Sequence, residues 1–433
     1  MTADLAERVG RWAFQFAPSA AHTARIRASI RDFLGCVTAG TRRPELQSAL
    51  WLAHGGAVPV CGLADSFDPA GAALIAGTAG SLLQLHDVYV PAGLHPSSPV
   101  IPAAWSALHS LGARRRNEFV RAVAVGYEVA NRFGAACAPQ QALAGSSGTG
   151  TAGALGAATA AAIVAGMDAA GIAAALSNAA LMLAATPVAA MRAHGSVVPL
   201  HSGIAARCGF EAASVARAGS AGRYVLEGDV RGPGLLGLLQ ARVQQLVPEN
   251  WHGETIDDVS WKFYPACFAS LACIEATLQI RPLVKGTIRH VTLYVPDRML
   301  ALVACGPNSD ELYDRLMSLR WVVARALDCG EYNIACALES SASTLALAQR
   351  IQVIHAPELD ALLPKVIAAD VSVETDRETR RVAYRRPVHD DPPDNAARGW
   401  TRALDEQALH AKFKMLVGES QDVTDTLRWL LTA

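Results

Sequence analysis

Charge is scarce in this chain. Asp, Glu, Lys and Arg make up 18% of its 433 residues, against the roughly 25% usual for soluble domains. Neither sign prevails, because 38 Lys and Arg stand against 39 Asp and Glu for a net charge of -1. That balance excludes a generally basic nucleic-acid binder and a chain steered by one large field. Hydrophobic residues reach 51%, which excludes general disorder. So little charge leaves a monomer's surface thinly covered, and a homodimer that buries part of that surface is expected.

A disulfide framework is also missing. Nine cysteines stand singly between Cys36 and Cys336 with no CxxC, the pattern of reduced thiols in a cytoplasmic compartment. Cys267 and Cys273 fall on one predicted helix at a spacing unsuited to zinc, so no metal site is read from them. The start of the chain holds Asp4 and Glu7 and no long apolar stretch, and no secretory signal is expected. The run Gly150–Gly166 is dominated by Ala and Gly and is shorter than the roughly 20 residues of a membrane span. It reads as a buried core helix, and no membrane partner is expected.

The common catalytic motifs are lacking too: no GxSxG, no lysine after a glycine-rich phosphate loop and no HExxH. Gly148-Thr-Gly-Thr-Ala-Gly153 satisfies GxGxxG, but a helical segment precedes it and Asp168 falls in a loop between helices. A dinucleotide site needs strands in both places. The expected use is a close-packed helix start capped by Thr149 or Thr151.

From Thr2 to about Trp251 the text is almost entirely helical, with Glu118–Gly134 and Ala169–Leu183 carrying apolar residues at three- and four-residue spacing. Beyond Trp251, His290–Val295, Val371–Thr375 and Arg380–Arg385 alternate as strands, the last two around an Asp376-Arg-Glu turn. Helix is predicted over Asp310–Leu327, Ala342–Ile354, Asp405–Val417 and Thr424–Leu431, and Pro387–Asn395 reads as a linker. The fold expected is mainly α with an inserted α+β domain. Residues 1–255 and 396–433 form a large helical domain from both termini, and 256–395 form a smaller lid.

Three polar islands interrupt the apolar text. Leu85-His-Asp-Val-Tyr-Val-Pro-Ala-Gly-Leu-His95 gathers His86, Asp87, Tyr89 and His95, a concentration of titratable groups on a loop. Arg192 to His201 holds Arg192, His194 and His201, with Arg207 on the next helix. Trp261-Lys262-Phe-Tyr-Pro265 lies where the helical text gives way, a common place for a cleft. An ordinary surface loop, a helix connection and a solvated lysine are the plain alternatives. Cys267 reads as a core thiol opening an apolar helix.

At these islands the chain resembles the MmgE/PrpD family, which includes 2-methylcitrate dehydratase, cis-aconitate decarboxylase and iminodisuccinate epimerase. The stretches that carry the resemblance are Gly93–Leu108, Val125–Gly134, Gly150–Ala162, Pro199–Ala213, Trp261–Ala276 and Ala408–Gly418, in the family's order. The resemblance implies homodimers without metal or organic cofactor, whose reactions form or reverse a carbanion beside a carboxylate. Such reactions need cations for the carboxylate and an acid/base pair for the protons.

By resemblance, His95 stands at the catalytic loop histidine and Lys262 at the lysine of K-x-Y-P. The acidic loop D-F-D-D-T is here Gln84-Leu-His-Asp-Val88, keeping Asp87. Ser147 replaces the histidine before T-G-T-A-G, and Val198 the lysine before L-H-x-G. His95 is thus the expected acid/base, Lys262 a clamp or proton donor, and Asp87 an orienter of the loop. Tyr89, His86, Ser147, Thr149, Arg192, His194 and His201 are expected around the substrate.

Two lost cations point to a small-molecule substrate less anionic than methylcitrate, handled by a cofactor-independent dehydratase-type lyase of specialised metabolism. An isomerase, epimerase or cyclase on the same scaffold is one alternative, and a non-catalytic ligand-binding homologue is another. A Val198→Lys, Ser147→His variant is expected to bind citrate more tightly than the unmodified protein in calorimetry. Equal affinity would show that the two substitutions did not change the substrate.

Overall fold

The computed structural model describes residues 4–111, 115–184, 195, 197–300, 302–303, 306, 311–363, 365–388 and 399–431. Its helical part is a set of packed helices: α1 (Leu5–Gln15), α2 (Ala20–Thr41), α3 (Pro69–Leu82), α4 (Ser97–Ser110), α5 (Phe119–Cys137), α6 (Ala152–Val164), α7 (Ala169–Met182) and α8 (Leu200–Arg217). Asp4, Ser19, Asp68 and Asp168 begin α1, α2, α3 and α7 by accepting from free backbone amides.

The centre is α6, buried along its whole length and packed against α4, α5, α7 and α8. Small side chains make this possible. At the crossing of α5 and α6, a Cβ on Gly156 would lie 2.3 Å from the Gly126 carbonyl oxygen, and a Cβ on Gly126 would lie 2.8 Å from that of Gly156. The apolar run expected to be a core helix is this one.

Beyond α8 the chain builds α9 (Leu271–Ile280), α10 (Leu312–Met317), α11 (Leu319–Cys329) and a four-stranded sheet. The sheet's strands are β3 (Ile288–Val295), β4 (Ile351–His355), β5 (Val366–Thr375) and β6 (Thr379–Pro387), in the order β6-β5-β3-β4. Only the β3–β4 pair is parallel, and α9 packs on β5 and β6. The expected hairpin around Asp376 is present, with the Thr375 N–H donating to the Glu378 carbonyl at 2.8 Å.

Two helix expectations need correction. The helix predicted over Ala342–Ile354 stops at Ala348, because Ile351–His355, with three β-branched residues, pairs in parallel with β3. The helix predicted from Asp310 is broken at Ser318, whose extended backbone separates α10 from α11 while its hydroxyl accepts from the Trp321 amide. Asp310 and most of the Pro387–Asn395 stretch lie outside the described residues.

Near the end of the chain, α12 (Glu406–Val417) packs against α2, and Val423 and Leu430 of α13 (Gln421–Leu431) join the helical core. A small three-stranded sheet makes a second long-range join, in the order β7-β2-β1. It unites β1 (Val88–Tyr89), from the loop between α3 and α4, with β2 (Val259–Lys262) and β7 (Trp400–Thr401). Val88 pairs with Ser260 and Trp400 with Lys262. The reading of residues before Trp251 as almost wholly helical misses β1, whose two residues carry no periodicity, and two small hairpins, Gly55–Pro59 with Ser66–Phe67 and Gly228–Asp229 with Gly232–Pro233. Among the described residues no helix is long and apolar enough to cross a membrane.

Gly156→Ala is expected to destabilise the fold by about 1–3 kcal/mol, because the new methyl meets backbone that cannot rotate away. Thermal unfolding monitored by circular dichroism reads this as a lowered midpoint, and an unchanged midpoint would mean that the helices part without cost.

Candidate active site

The loop Leu85–His95 is built from its own backbone outward. The Tyr89 N–H donates to the Leu94 carbonyl at 2.8 Å, closing the loop, and β1 fixes it against β2. Asp87 is buried at the base of the loop. One carboxylate oxygen accepts from the Ser97 hydroxyl at 2.6 Å and the Ser97 amide at 3.2 Å, and the other from the Tyr127 hydroxyl at 2.8 Å. Burial pushes its pKa up to about 6 against the pull of these donors. The Asp87 carbonyl accepts the Nδ1 hydrogen of His95 at 2.5 Å.

That contact sets the tautomer of His95, since a carbonyl can only accept and Nε2 is left as a lone pair. The His95 amide donates to the Thr149 hydroxyl at 3.0 Å. Burial, with the charge of Lys262 added, lowers the His95 pKa to about 3, so the ring is neutral at ordinary pH. His86 lies against it with ring centroids 4.2 Å apart and the planes tilted by 39°. Neither ring nitrogen of His86 has a hydrogen-bond partner among the described residues. His201, in the first turn of α8, repeats the arrangement of His95: Nδ1 lies 2.7 Å from the Val198 carbonyl, and Nε2 is buried without a partner among the described residues.

Lys262 is the cation of this group. The plain alternative of a solvated lysine is corrected, because at 0% exposure it is wholly buried at the end of β2. Its Nζ makes one hydrogen bond among the described residues, to the Ala266 carbonyl at 3.3 Å. Burial lowers its pKa to about 8. The charges of Lys262 and His201 act on both His86 and His95, which places these groups within one electrostatic neighbourhood.

A second buried cation stands behind the loop. Lys412 of α12 lies 2.6 Å from an Asp32 carboxylate oxygen on α2, and its Nζ donates to the Leu85 carbonyl at 2.9 Å. Burial opposes the charge on Lys412, and Asp32 prevails and holds it protonated. Sequence reading missed Lys412, Asp32, Ser97 and Tyr127. The signal was available for Asp32 and Lys412, as each is a charge set among residues that the helical pattern buries.

The remaining expected site residues fall in several places. Tyr89 is buried, and the charges acting on its hydroxyl are those of Asp258, Arg132, Glu128 and Glu254. Thr149 holds the His95 backbone rather than capping α6. Thr151 does not cap it either, and its hydroxyl donates to the Ser147 carbonyl at 3.1 Å. Ser147 itself is buried. Gln84 and Val198 meet the same residue on α10, for Gln84 Nε2 donates to the Tyr313 hydroxyl at 3.3 Å and Val198 packs with Tyr313 and Met317. Arg207 pairs with Glu211 at 2.8 Å. Arg192 and His194 lie outside the described residues. Cys267 precedes the helix it was expected to open and is half-buried, within reach of the Lys262 charge. Among the described residues no three His, Cys, Asp or Glu side chains converge as a metal site.

A neutral histidine base beside a buried lysine, on a helical body joined to a sheet-bearing unit, defines a class of site suited to proton transfer next to a carboxylate. The N-terminal domain model of the MmgE/PrpD family matches residues 3–232, and its C-terminal domain model matches residues 264–430. The chain belongs to the MmgE/PrpD family. No individual curated protein matches it.

Lys412→Met is expected to cost about 3–5 kcal/mol by stranding Asp32 as an unpaired buried charge. The Lys412→Met, Asp32→Asn pair should recover most of that loss. Denaturant unfolding of the three proteins checks the order, and a double variant no better than the single one would contradict it.

Proposed function

We propose that this chain is a cofactor-independent lyase of the dehydratase type, acting on a hydroxycarboxylate or a carbonyl-activated analogue. The observation that carries the reading is the meeting of the His95 Nε2 lone pair with Lys262 and with the unpartnered ring nitrogens of His86 and His201. Buried polar groups take partners, and a carboxylate satisfies several of these at once. Membership of a family that includes hydro-lyases such as 2-methylcitrate dehydratase supports the same class.

Lys262 clamps the substrate carboxylate by a charge-assisted hydrogen bond, and its positive charge stabilises the carbanion as it forms. His95 Nε2 removes the hydrogen from the carbon beside that carboxylate, helped by the negative charge the substrate brings. The carbon–oxygen bond to the β-hydroxyl then breaks as the electron pair forms the double bond. His95 returns its proton to the departing oxygen, which leaves as water. Asp87 touches no substrate and positions His95 through its carbonyl.

The apolar packing of Val198 with Tyr313 and Met317 favours a substrate with fewer carboxylates than citrate. We read residues 256–395 as the lid over this site, the body being 1–255 with 396–433, and the working unit as a cytoplasmic homodimer joined through the helical body. The close, tilted contact of His86 with His95 favours a second reading, an epimerase with two proton carriers. Exchange of the substrate's α-hydrogen for deuterium without loss of water would select it.

His95→Ala is expected to lower turnover about 10²–10⁴-fold, and Lys262→Met to abolish carboxylate binding with the fold retained. Nuclear magnetic resonance of hydroxycarboxylates incubated with each protein follows both water loss and deuterium uptake. Turnover surviving in His95→Ala would overturn the role given to it.

The pH dependence follows from the same groups. Activity should fall below about 6 as Asp87 gains a proton and above about 8 as Lys262 loses one. In the ligand-free protein Lys262 acts with the opposite sign on stability. Its folded pKa lies below the ordinary lysine value of 10.5, so the unfolded chain binds more protons between about 8 and 10.5, and stability from this group rises across that window. Pairing pH–rate profiles with unfolding curves tests both limbs.

A further inference from the structure

Outside the active site, the described residues bring one pair of thiols together. Cys329 ends α11 and is exposed, and Cys336 lies in the following short helix and is buried. Their sulfurs are 2.8 Å apart, closer than two unbonded sulfurs ordinarily rest. A disulfide requires about 2.03–2.05 Å. The turn between them is fixed at both ends. Gly330 adopts φ 77°, which ends α11, while the Arg325 guanidinium donates to the Cys336 carbonyl at 2.8 Å and Asn333 accepts from the Cys336 amide at 2.9 Å.

The same turn reaches the active site. Tyr332 lies between the two cysteines, is 2% exposed and donates its hydroxyl to the Pro265 carbonyl at 3.2 Å. Its ring meets Tyr264 edge-on at 5.9 Å. The next carbonyl along, that of Ala266, accepts from Lys262 Nζ. The thiol pair, with Cys329 exposed and Cys336 buried, flanks a tyrosine that is one hydrogen bond and one residue from the backbone that anchors the buried lysine.

We propose that Cys329 and Cys336 are a peroxide-responsive dithiol site whose oxidation is transmitted to the Lys262 anchor through Tyr332. The chemistry balances with a hydroperoxide as oxidant. The Cys329 sulfur attacks the peroxide oxygen, the O–O bond breaks, and Cys329 becomes a sulfenic acid with release of water or alcohol. The Cys336 sulfur then displaces the sulfenic hydroxyl, which leaves as water with the Cys336 proton, and the S–S bond forms. Burial and the neighbouring Cys329 push the Cys336 thiol up to about 12, which suits the resolving partner rather than the first to react. Closing the bond locks the turn and holds Tyr332 on Pro265. The formation of the disulfide stands on its own geometry, and its effect on catalysis rests on the reading of Lys262 as the carboxylate clamp.

Both thiols fall in one tryptic peptide, residues 326–350, so a bond between them is read directly. The full-length protein is treated with stoichiometric hydrogen peroxide, denatured, alkylated, digested and weighed. The expected result is a 326–350 peptide two hydrogens lighter that resists alkylation until reduced, with the other cysteines alkylated. Two free thiols in that peptide, or a sulfinic acid at Cys329, would overturn the site. Amide exchange then tests the transmission without any substrate. Oxidation should slow exchange over residues 266–270 in the unmodified protein, and it should do so neither in Cys329→Ser, which forms no bond, nor in Tyr332→Phe, which still forms it. Equal slowing in Tyr332→Phe, or no slowing in the unmodified protein, would refute the transmission. If the slowing occurs while turnover is indifferent to peroxide, the dithiol site stands and the role given to Lys262 fails.

Discussion

The buried pair of Lys412 and Asp32 joins what the rest of the site depends on. Asp32 belongs to α2 near the beginning of the chain and Lys412 to α12 near its end, and the ammonium also holds the Leu85 carbonyl where the loop of His86, Asp87 and His95 begins. Two charges out of water are a weak source of net stability, so apolar packing does the work of folding here. The pair contributes placement: three segments remote in sequence are held at one point by bonds that water cannot replace. Lys412 also lies near the ring of Phe263, the neighbour of Lys262, so the two buried cations occupy one region with Asp32 and Asp87 as its carboxylates.

The carboxylates are already engaged, and this gives the region its chemistry. Asp32 answers Lys412, and Asp87 accepts from Ser97 and Tyr127. Lys262 has only a carbonyl, and the imidazoles of His86 and His201 keep buried nitrogens with no partner among the described residues. The deficit is of negative charge. Burial is what lowers both the lysine and the histidines. An anion arriving in such a place reverses that effect and raises the affinity of His95 for a proton.

Much of this was legible in the sequence, for identifiable reasons. Long helices announced themselves through periodicity and caps, and the Ala- and Gly-rich α6 through its composition. His95, His86, Asp87 and Lys262 stood out as polar residues in apolar text. The parts that were hidden depend on contacts between distant segments. Two-residue strands such as β1 have no pattern of their own, the strand Ile351–His355 borrows its conformation from β3, and Lys412 becomes significant only once α12 lies on α2. Tyr89 shares the loop, and the charges acting on its hydroxyl are those of Asp258, Arg132, Glu128 and Glu254 from other segments, which no reading of the loop alone could supply.

The small sheet β7-β2-β1 has a consequence for synthesis on the ribosome. Its strands come from residues 88–89, 259–262 and 400–401, and the lysine that steadies the loop arrives later still, at 412. Contacts of such sequence separation form late, after the loop-closure entropy between them has been met. The helices of the N-terminal part can pack while the chain is still emerging, yet the histidines and Lys262 have no fixed relation until α12 has docked. A nascent or truncated chain therefore carries the ingredients of the site without its geometry, which is withheld until the last helices have been made.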